Sequence, residues 1–335
     1  MRGIVPVLFV LILSAPGQGS SASPQQSRPN EQSAELAEAS RLAQSVVSLY
    51  EAGKYDEALP IARRVVQIRE RVLPKDDDKI VAAVTNLAEV QFSRGQDSEA
   101  QGLFERALHT YERTAGVDSA KLGDVLDRLA LVYYRLGRAA DTERVYRRSL
   151  AIREKVLGEE HPDVARSLRN LAEFYQFQGD YKKGEPLYQR LVEVRKKQGS
   201  AEPTADALER YACLLRKTKR LQEAEDMETR ALELTNNRGV TAELISAGVV
   251  NGRALNLYQP PYPSEARAER VSGNVTVRVL IDELGTVIRA CAVEGPRLLM
   301  KASESAAYQS RFSPTIVGGM PVKVNGIVIY KFIGR

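Results

Sequence analysis

The chain has 335 residues, of which 27% are charged and 43% are hydrophobic. This length and composition are typical of a globular protein with two or three domains, and they exclude a disulfide-stapled miniprotein, a disordered chain and a polytopic membrane protein. The formal net charge of +5 is small and is spread over 48 basic and 43 acidic side chains. It therefore does not indicate a nucleic-acid partner, which usually binds a concentrated basic face.

Residues 1–22 have the pattern of a secretory signal peptide. Arg2 precedes an apolar run from Ile4 to Leu13, and Ser20-Ser21-Ala22 forms a small-x-small cleavage pattern. The run is shorter than the roughly 20 apolar residues of a membrane-spanning helix. We therefore expect cleavage after Ala22 and export, with an anchor in the membrane as the less favoured alternative. Residues 23–34 are rich in Ser, Gln, Pro and Asn and are expected to be disordered.

A repeat organises the chain from about residue 35 to residue 236. Gly53, Gly95, Gly137 and Gly179 are each 42 residues apart, and a fifth copy of the surrounding motif, which begins at Lys219, follows 40 residues later. Apolar residues recur with helical spacing on both sides of these positions. Gly commonly ends a helix in a left-handed turn. Each copy is therefore expected to be a helical hairpin, and five hairpins are expected to stack into an α-solenoid with a concave side.

Several motifs in these repeats resemble the 42-residue tetratricopeptide repeats of kinesin light chains. They are Leu157 to Ala165, Asn170-Leu171-Ala172, Gly179-Asp180-Tyr181 and Leu187 to Arg190. The resemblance implies protein or peptide binding on a concave surface lined by the first helix of each repeat. Four polar residues occupy equivalent positions there and are expected to hold a peptide backbone or an acidic group: Asn86, Arg128, Asn170 and Arg210. The alternative is that they are ordinary polar residues on a solvated helix face.

The pattern changes after residue 236. Residues 237–258 are expected to be a linker, and the prolines at 260, 261 and 263 exclude a helix and mark a domain boundary. Over residues 259–335 the spacing of apolar residues and turn residues predicts a helix, two strands joined by a turn, a second helix and a long last strand from Val322 to Ile333. This order predicts a small α+β domain with an antiparallel sheet and helices on one face.

The punctuation of this region resembles the C-terminal domain of TonB, the periplasmic energy transducer of Gram-negative bacteria. The matching motifs include Tyr262-Pro263, Gly273-Asn274-Val275, Phe312-Ser313-Pro314 and Pro321-Val322. The resemblance implies a periplasmic location, a role in energy-dependent transmembrane transport, and an outer-membrane transporter as a partner that adds a strand to the last strand. We expect that strand to lie at an edge of the sheet, with a protein-binding site at Val322, Val324, Gly326 and Val328. The alternative is that the strand is covered within the domain or by a second copy of it.

No motif indicates catalysis, a cofactor or a metal ion. The acidic side chains belong to helix surfaces with Lys or Arg nearby. The acidic run at residues 76–78 lacks the spacing and the glycine of a calcium loop and is expected to cap the next helix. Cys213 lies in a repeat helix and Cys291 lies in a strand of the other domain. We therefore expect two unpaired, buried cysteines.

Two functions fit these observations, and neither involves an enzyme, a small-molecule substrate or a nucleic acid. The first is a periplasmic protein-interaction adaptor linked to energy-dependent outer-membrane transport. The alternative is a structural scaffold or envelope assembly protein, in which the C-terminal domain caps or dimerises the repeat array. In both, Leu87, Leu129 and Leu171 occupy equivalent positions and are expected to lie in the core of the repeats.

Overall fold

The computed structural model describes residues 27–114, 120–235 and 245–333. The chain divides into two compact units, and the division falls between Asn170 and Leu171. The predicted signal peptide lies outside the described residues. Within the described ranges, no helix combines the length and the apolar character needed to cross a membrane.

Ten consecutive helices form the predicted helical hairpins, so the solenoid of five repeats is confirmed. Each repeat consists of a first and a second helix, paired in the order of the chain. Their bounds are α1 Ser27–Glu51, α2 Tyr55–Val72, α3 Asp78–Ser93, α4 Asp97–Thr114, α5 Ala120–Arg135, α6 Ala139–Leu157, α7 Pro162–Gln178, α8 Tyr181–Lys197, α9 Ala201–Lys217 and α10 Leu221–Thr235. Because α1 begins at Ser27, residues 27–34 are helical, although we expected disorder over residues 23–34.

The turn between the two helices of each repeat requires a left-handed residue. The four glycines spaced 42 residues apart have φ angles between 73° and 82°. In the fifth repeat Lys219 takes this position with φ of 62°. This left-handed conformation is higher in free energy for a residue with a Cβ atom than for glycine. The glycine spacing therefore identified the turns correctly, and the fifth turn carries a strained residue.

The repeats bury the apolar face that their spacing predicts. Leu87, Leu129 and Leu171 are buried, as expected. The small residues that follow each turn at a distance of five, among them Ala58 and Ala100, are also completely buried. Asp77 caps α3 by accepting a hydrogen bond from the backbone N–H of Lys79 at 2.8 Å, which confirms the expected cap in the acidic run.

The C-terminal domain contains more strands than the sequence predicts. Two of them, together with a short 3-10 turn, lie in residues 237–258, so this segment is not simply a linker. The elements are β1 Ile245–Val249, β2 Ala254–Asn256, α11 Ser264–Ala268, β3 Gly273–Ile281, β4 Val287–Glu294, α12 Arg297–Gln309, β5 Arg311–Phe312, β6 Thr315–Val317, β7 Met320–Val322 and β8 Val324–Phe332.

The main sheet has four strands in the order β1-β8-β3-β4. β8 pairs with β3 in antiparallel fashion along its whole length, whereas β1 pairs with β8 in parallel, so the sheet is mixed. The expectation that the last strand lies at an edge was wrong, because β1 covers it. Two further pairs, β2-β5 and β6-β7, form small two-stranded sheets.

The core of this domain lies between the sheet and α12. Alternate residues of β3, including Val275, Val277 and Val279, are buried together with Leu299 and Ala306 of α12. The predicted alternation along this strand is therefore confirmed.

Candidate functional site

Of the four groove positions predicted from the repeats, Arg128, Asn170 and Arg210 contact the first helix of the preceding repeat. Asn86 on α3 is buried. Arg128 on α5 pairs with Glu89 on α3 at 2.9 Å. Asn170 on α7 donates a hydrogen bond to Asp127 Oδ2 at 3.2 Å. These side chains are therefore not simply solvated, and they connect one repeat to the one before it.

Arg210, the fourth position, continues this pattern on α9. It forms ion pairs with Glu173 on α7 and, at 2.7 Å, with Asp206 on its own helix. Burial lowers the pKa of Arg210, but the charges of Glu173 and Asp206 outweigh burial and raise the pKa well above its ordinary value. Arg210 therefore stays charged and is held by two carboxylates, while about a third of its side chain stays exposed.

Among the acidic residues that contact the groove positions, Glu89 is the most deeply buried. Burial raises its pKa, and the charge of Arg128 lowers it in part without restoring the ordinary value. Its second carboxylate oxygen has no hydrogen-bond partner in the part of the chain that the structure describes. The pair therefore places an acidic group with a perturbed proton affinity on a first helix.

A buried charged network between α5, α6 and α7 was missed by the sequence analysis. Arg153 is 1% exposed and donates hydrogen bonds to Asp127 at 2.7 Å and to Asp124 at 2.8 Å. Gly123 leaves room for it, because a Cβ at that position would lie 2.5 Å from Arg153 Nε. Ser149 adds a bond of 2.7 Å to Asp127. Because Arg153 also donates to Ser167 on α7 at 2.5 Å, the network adds paired charges to the apolar packing of the three helices.

The edge of β8 is occupied by residues 245–251. The backbone N–H of Val250 donates to the carbonyl of Ile327 at 2.9 Å. The side chain of Asn251 then replaces the backbone of a strand residue. Its Oδ1 accepts a hydrogen bond from the N–H of Ile329 at 2.9 Å, and its Nδ2 donates one to the carbonyl of Ile329 at 2.8 Å. Strand pairing thus extends past the end of β1 through one side chain.

Gly326 has an intrachain role at this edge. Val250 is buried against it, and a Cβ on residue 326 would lie 2.7 Å from Val250 Cγ1. Val324 and Val328 are buried in the domain core, and Val322 packs at its margin. The four predicted binding residues therefore lie together around β7 and β8, but the described side chains of two of them face the core.

Cys213 and Cys291 form a disulfide, so the expectation of two unpaired cysteines was wrong. The sequence shows only that they lie in different elements, whereas in the structure α9 runs beside β4 and brings the two Cα atoms to 5.8 Å. This distance is within the range that a disulfide bridges. The last repeat and the C-terminal domain are therefore joined covalently.

Charged side chains surround this disulfide. Lys217 on α9 is buried and lies 3.1 Å from Glu304 on α12, and Glu304 accepts a hydrogen bond from the backbone N–H of Ala292 at 2.8 Å. Arg289 on β4 forms an ion pair with Glu209 on α9. Glu304 also lies close to both sulfur atoms, but a disulfide does not offer thiolate ligands, so this cluster is not a metal site.

Comparison with known proteins agrees with both parts of the chain. The family described as tetratricopeptide repeat matches residues 35–113, 122–176 and 167–237. The family described as Gram-negative bacterial TonB protein C-terminal matches residues 258–333. None of the curated proteins compared with the chain matches it.

Solved structures of repeat proteins share the fold of the first part. A Podosopora anserina protein named for kinesin light chain, with nearly identical TPR-like repeats, is 21% identical and has a TM-score of 0.52 over 57% of this chain and 92% of its own. BtubC from P. vanneervenii is 18% identical, with a TM-score of 0.53 over 64% of this chain and 92% of its own. Aspartyl phosphate phosphatase F from Bacillus subtilis is 12% identical, with a TM-score of 0.56 over 65% and 56%.

At these sequence identities the solved structures show only that the fold is shared. The two family matches cover the repeats and the C-terminal domain separately. More than half of the chain matches the repeat family, in the region where the structure shows five helical hairpins. The chain therefore belongs to the tetratricopeptide-repeat family and carries a TonB C-terminal domain after its repeats.

Proposed function

We propose that the chain is an exported adaptor that holds one protein partner on its repeats and another on its C-terminal domain, in the periplasm of a Gram-negative bacterium. The observation that carries this proposal is the connection between α9 and the sheet. The disulfide and the buried pair of Lys217 and Glu304 fix the last repeat to the C-terminal domain. Two kinds of binding module are thereby held together, as an adaptor requires.

A site-specific photocrosslinking experiment in envelope preparations tests the repeat half of this proposal. A photoreactive amino acid is placed at position 128 or 170, on first helices, and at position 106 on α4, a second helix, as the matched control. Partner crosslinks are expected at 128 and 170 and not at 106, because the first helices of tetratricopeptide repeats are expected to line the binding surface. Equal crosslinking at all three positions would contradict the proposal that the partner binds to the first helices.

The partner at the C-terminal domain is proposed to be an extended segment of an outer-membrane transporter, which pairs with β8 in the place of β1. β1 pairs over few residues, and its register with β8 shifts between Ser246 and Val249. A short, irregular edge strand is easier to displace than a long regular one. Once β1 has left, the backbone N–H and C=O groups of β8 can pair with the partner's segment.

A lock on β1 tests this step. Ser246 and Asn325 are register partners, and neighbouring strands are roughly 5 Å apart, so the double variant Ser246→Cys with Asn325→Cys can bridge the two strands. The locked protein is expected to lose the transporter crosslink from a photoreactive residue at position 327, while each single-cysteine variant keeps it. A locked protein that still crosslinks would show that β1 does not need to leave.

The scaffold alternative is favoured by the same junction, since the C-terminal domain lies against α9 at the end of the repeats. If the domain serves only as a cap, a chain that ends at residue 257 should unfold at a lower temperature or aggregate, and no crosslinked partner should depend on β8. Sedimentation velocity of the full chain distinguishes a capped monomer from a dimer joined through this domain.

Export can be tested directly by N-terminal sequencing of the mature protein after cell fractionation. The expected result is a chain that begins at Ser23 in the periplasmic fraction. A full-length chain in the inner membrane would contradict the signal peptide and would favour an anchor.

A further inference from the structure

The hairpin formed by β6 and β7 has the features of a membrane-contacting element. Its strands pair only with each other within the described part of the chain, with Val317 opposite Met320 and Ile316 opposite Pro321. The two glycines between the strands, Gly318 and Gly319, both have positive φ angles, as a tight two-residue hairpin loop requires. An isolated two-stranded hairpin is marginally stable in water. The exposed side chains of this hairpin therefore indicate that another surface covers it.

The exposed side chains of this hairpin are apolar on both faces. The exposed fractions are 57% for Ile316, 46% for Val317 and 66% for Met320. In a strand, successive side chains point to opposite faces, so Ile316 lies on one face and Val317 and Met320 lie on the other. Among the hydrophobic side chains of the hairpin, Val322 at its base packs against the core that the described residues form. A flat protein surface would cover one face and leave the other in water, whereas an apolar medium surrounds the whole tip.

Basic residues lie at the base of the hairpin. The eleven residues from Phe312 to Val322 carry no charge, and they are flanked by Arg311 and Lys323. No acidic residue follows Glu304 in the chain. Neither Arg311 nor Lys323 forms an ion pair within residues 27–114, 120–235 and 245–333, and Arg311 is exposed. The hairpin therefore presents an uncharged apolar tip above two cations.

From this arrangement we propose that the β6–β7 hairpin docks on an anionic phospholipid surface. Three residues per strand make the hairpin roughly 10 Å long, which matches the depth of about 5–10 Å to which interfacial elements bury their apolar face in a bilayer. With the tip at this depth, Arg311 and Lys323 lie at the level of the lipid phosphates, where basic residues are attracted to anionic lipids. This surface is separate from the edge of β8 and does not depend on the adaptor function.

The absence of tryptophan from the chain gives a direct test. A single reporter is introduced as Val317→Trp at the tip, and Leu221→Trp on α10, an equally exposed position in the repeats, is the matched control. With vesicles of one part phosphatidylglycerol to three parts phosphatidylcholine, the tip reporter is expected to shift its emission to the blue and to be quenched by brominated lipid. The control reporter is expected to show neither change.

Comparing the two reporters separates a response of the hairpin from any response of the rest of the chain. In the Val317→Trp protein, Arg311→Gln and Lys323→Gln should each weaken the partition into anionic vesicles by about fivefold. Lys331→Gln removes the same charge from β8 outside the hairpin and should have little effect.

Three outcomes would overturn the proposal. A tip reporter that does not respond to anionic vesicles excludes lipid as the occupant. An equal response with pure phosphatidylcholine removes the role of the two cations. A blue shift in buffer alone that grows with protein concentration identifies a second copy of the chain as the occupant. Circular dichroism of each variant, compared with wild type, shows whether a lost response comes from misfolding.

Discussion

Val250 lies against Gly326, so that a methyl group on residue 326 would come within 2.7 Å of Val250 Cγ1. Gly326→Ala is therefore expected to push Val250 out of the core, to loosen β1 and to cost about 1–3 kcal/mol of unfolding free energy. Hydrogen exchange should rise in residues 245–251. Gly252→Ala is the matched control, because a Cβ there meets nothing within 4 Å. Unchanged exchange in the Gly326 variant would show that β1 is held by other contacts.

Loss of the disulfide is expected to destabilise the protein strongly. The two cysteines are 78 residues apart, and closing a loop of that length in the unfolded chain corresponds to about 4–5 kcal/mol in the chain-entropy treatment. Cys213→Ser, Cys291→Ser and the double variant should lose the same amount, because each removes the same bond. Thermal unfolding with and without reductant measures this loss, and a peptide map without reductant should show the linked pair. A single variant that unfolds like the reduced wild type supports the bond, and one that unfolds like the oxidised wild type contradicts it.

The buried guanidinium of Arg153 is expected to be essential for the stability of the third and fourth repeats. Burial lowers the pKa of Arg153, but Asp127 and Asp124 outweigh burial and raise it, so the group stays charged. Arg153→Met would leave Asp127 buried without its main partner, at a cost of about 3–5 kcal/mol. Arg144→Met on the same helix, whose side chain is largely exposed, should change the free energy by less than about 0.5 kcal/mol. Urea unfolding of both variants measures these two losses. Equal losses for Arg153→Met and Arg144→Met would show that the buried network is not required for stability.

The pH dependence of stability should contain a contribution from Glu89. Its pKa in the folded protein is raised above its ordinary value. The stability linked to its neutral form is therefore fully present below the unfolded pKa and is lost as the pH rises through the folded pKa. Glu89→Gln keeps the shape of the neutral acid, so it should flatten this loss above about pH 4 and be at least as stable as wild type once the wild-type carboxyl is ionised. Glu99→Gln, at an exposed position of α4, is the control for the removal of one carboxylate from the repeats. A variant that is less stable only at neutral pH would instead show that the ion pair with Arg128 dominates.

The fifth turn offers a stabilising substitution. Lys219 has a positive φ, whereas glycine occupies the equivalent turns of the other repeats. Lys219→Gly is expected to raise the unfolding free energy by about 0.5–1 kcal/mol, since it relieves the left-handed strain at a modest entropic cost. Lys219→Ala separates the two effects, because it removes the long side chain but keeps the Cβ and should give no gain. Chemical unfolding monitored by circular dichroism measures both.

The repeats could be predicted because their signals are local and recur. A glycine turn, a buried small residue and helical spacing within 42 residues define each hairpin without reference to distant parts of the chain. The repeat also explains why a groove position contacts an acidic residue on the first helix before it. Arg128 and Glu89, for example, lie 39 residues apart on adjacent first helices. A comparison of charges one repeat apart would have found this pair.

The C-terminal edge and the disulfide could not be predicted in the same way. β1 pairs with β8 across about 80 residues, and its five residues contain too little alternation to identify a strand. Cys213 and Cys291 come together only because α9 lies beside β4, which no local pattern encodes. Arg153 was missed because its partners, Asp124 and Asp127, resemble ordinary surface acids on a helix, and only the packing of α6 against α5 brings Arg153 to them.

The disulfide also provides a covalent path for a mechanical load between the last repeat and the C-terminal domain. If a partner pulls on β4 while the repeats are held, the tension enters α9 through a covalent bond at Cys213. The 77 residues between the two cysteines, which include α10, β1 and β3, lie outside that path. The covalent link between α9 and β4 therefore does not depend on the pairing of β1 with β8, which could be exchanged while the last repeat stays bound to the sheet.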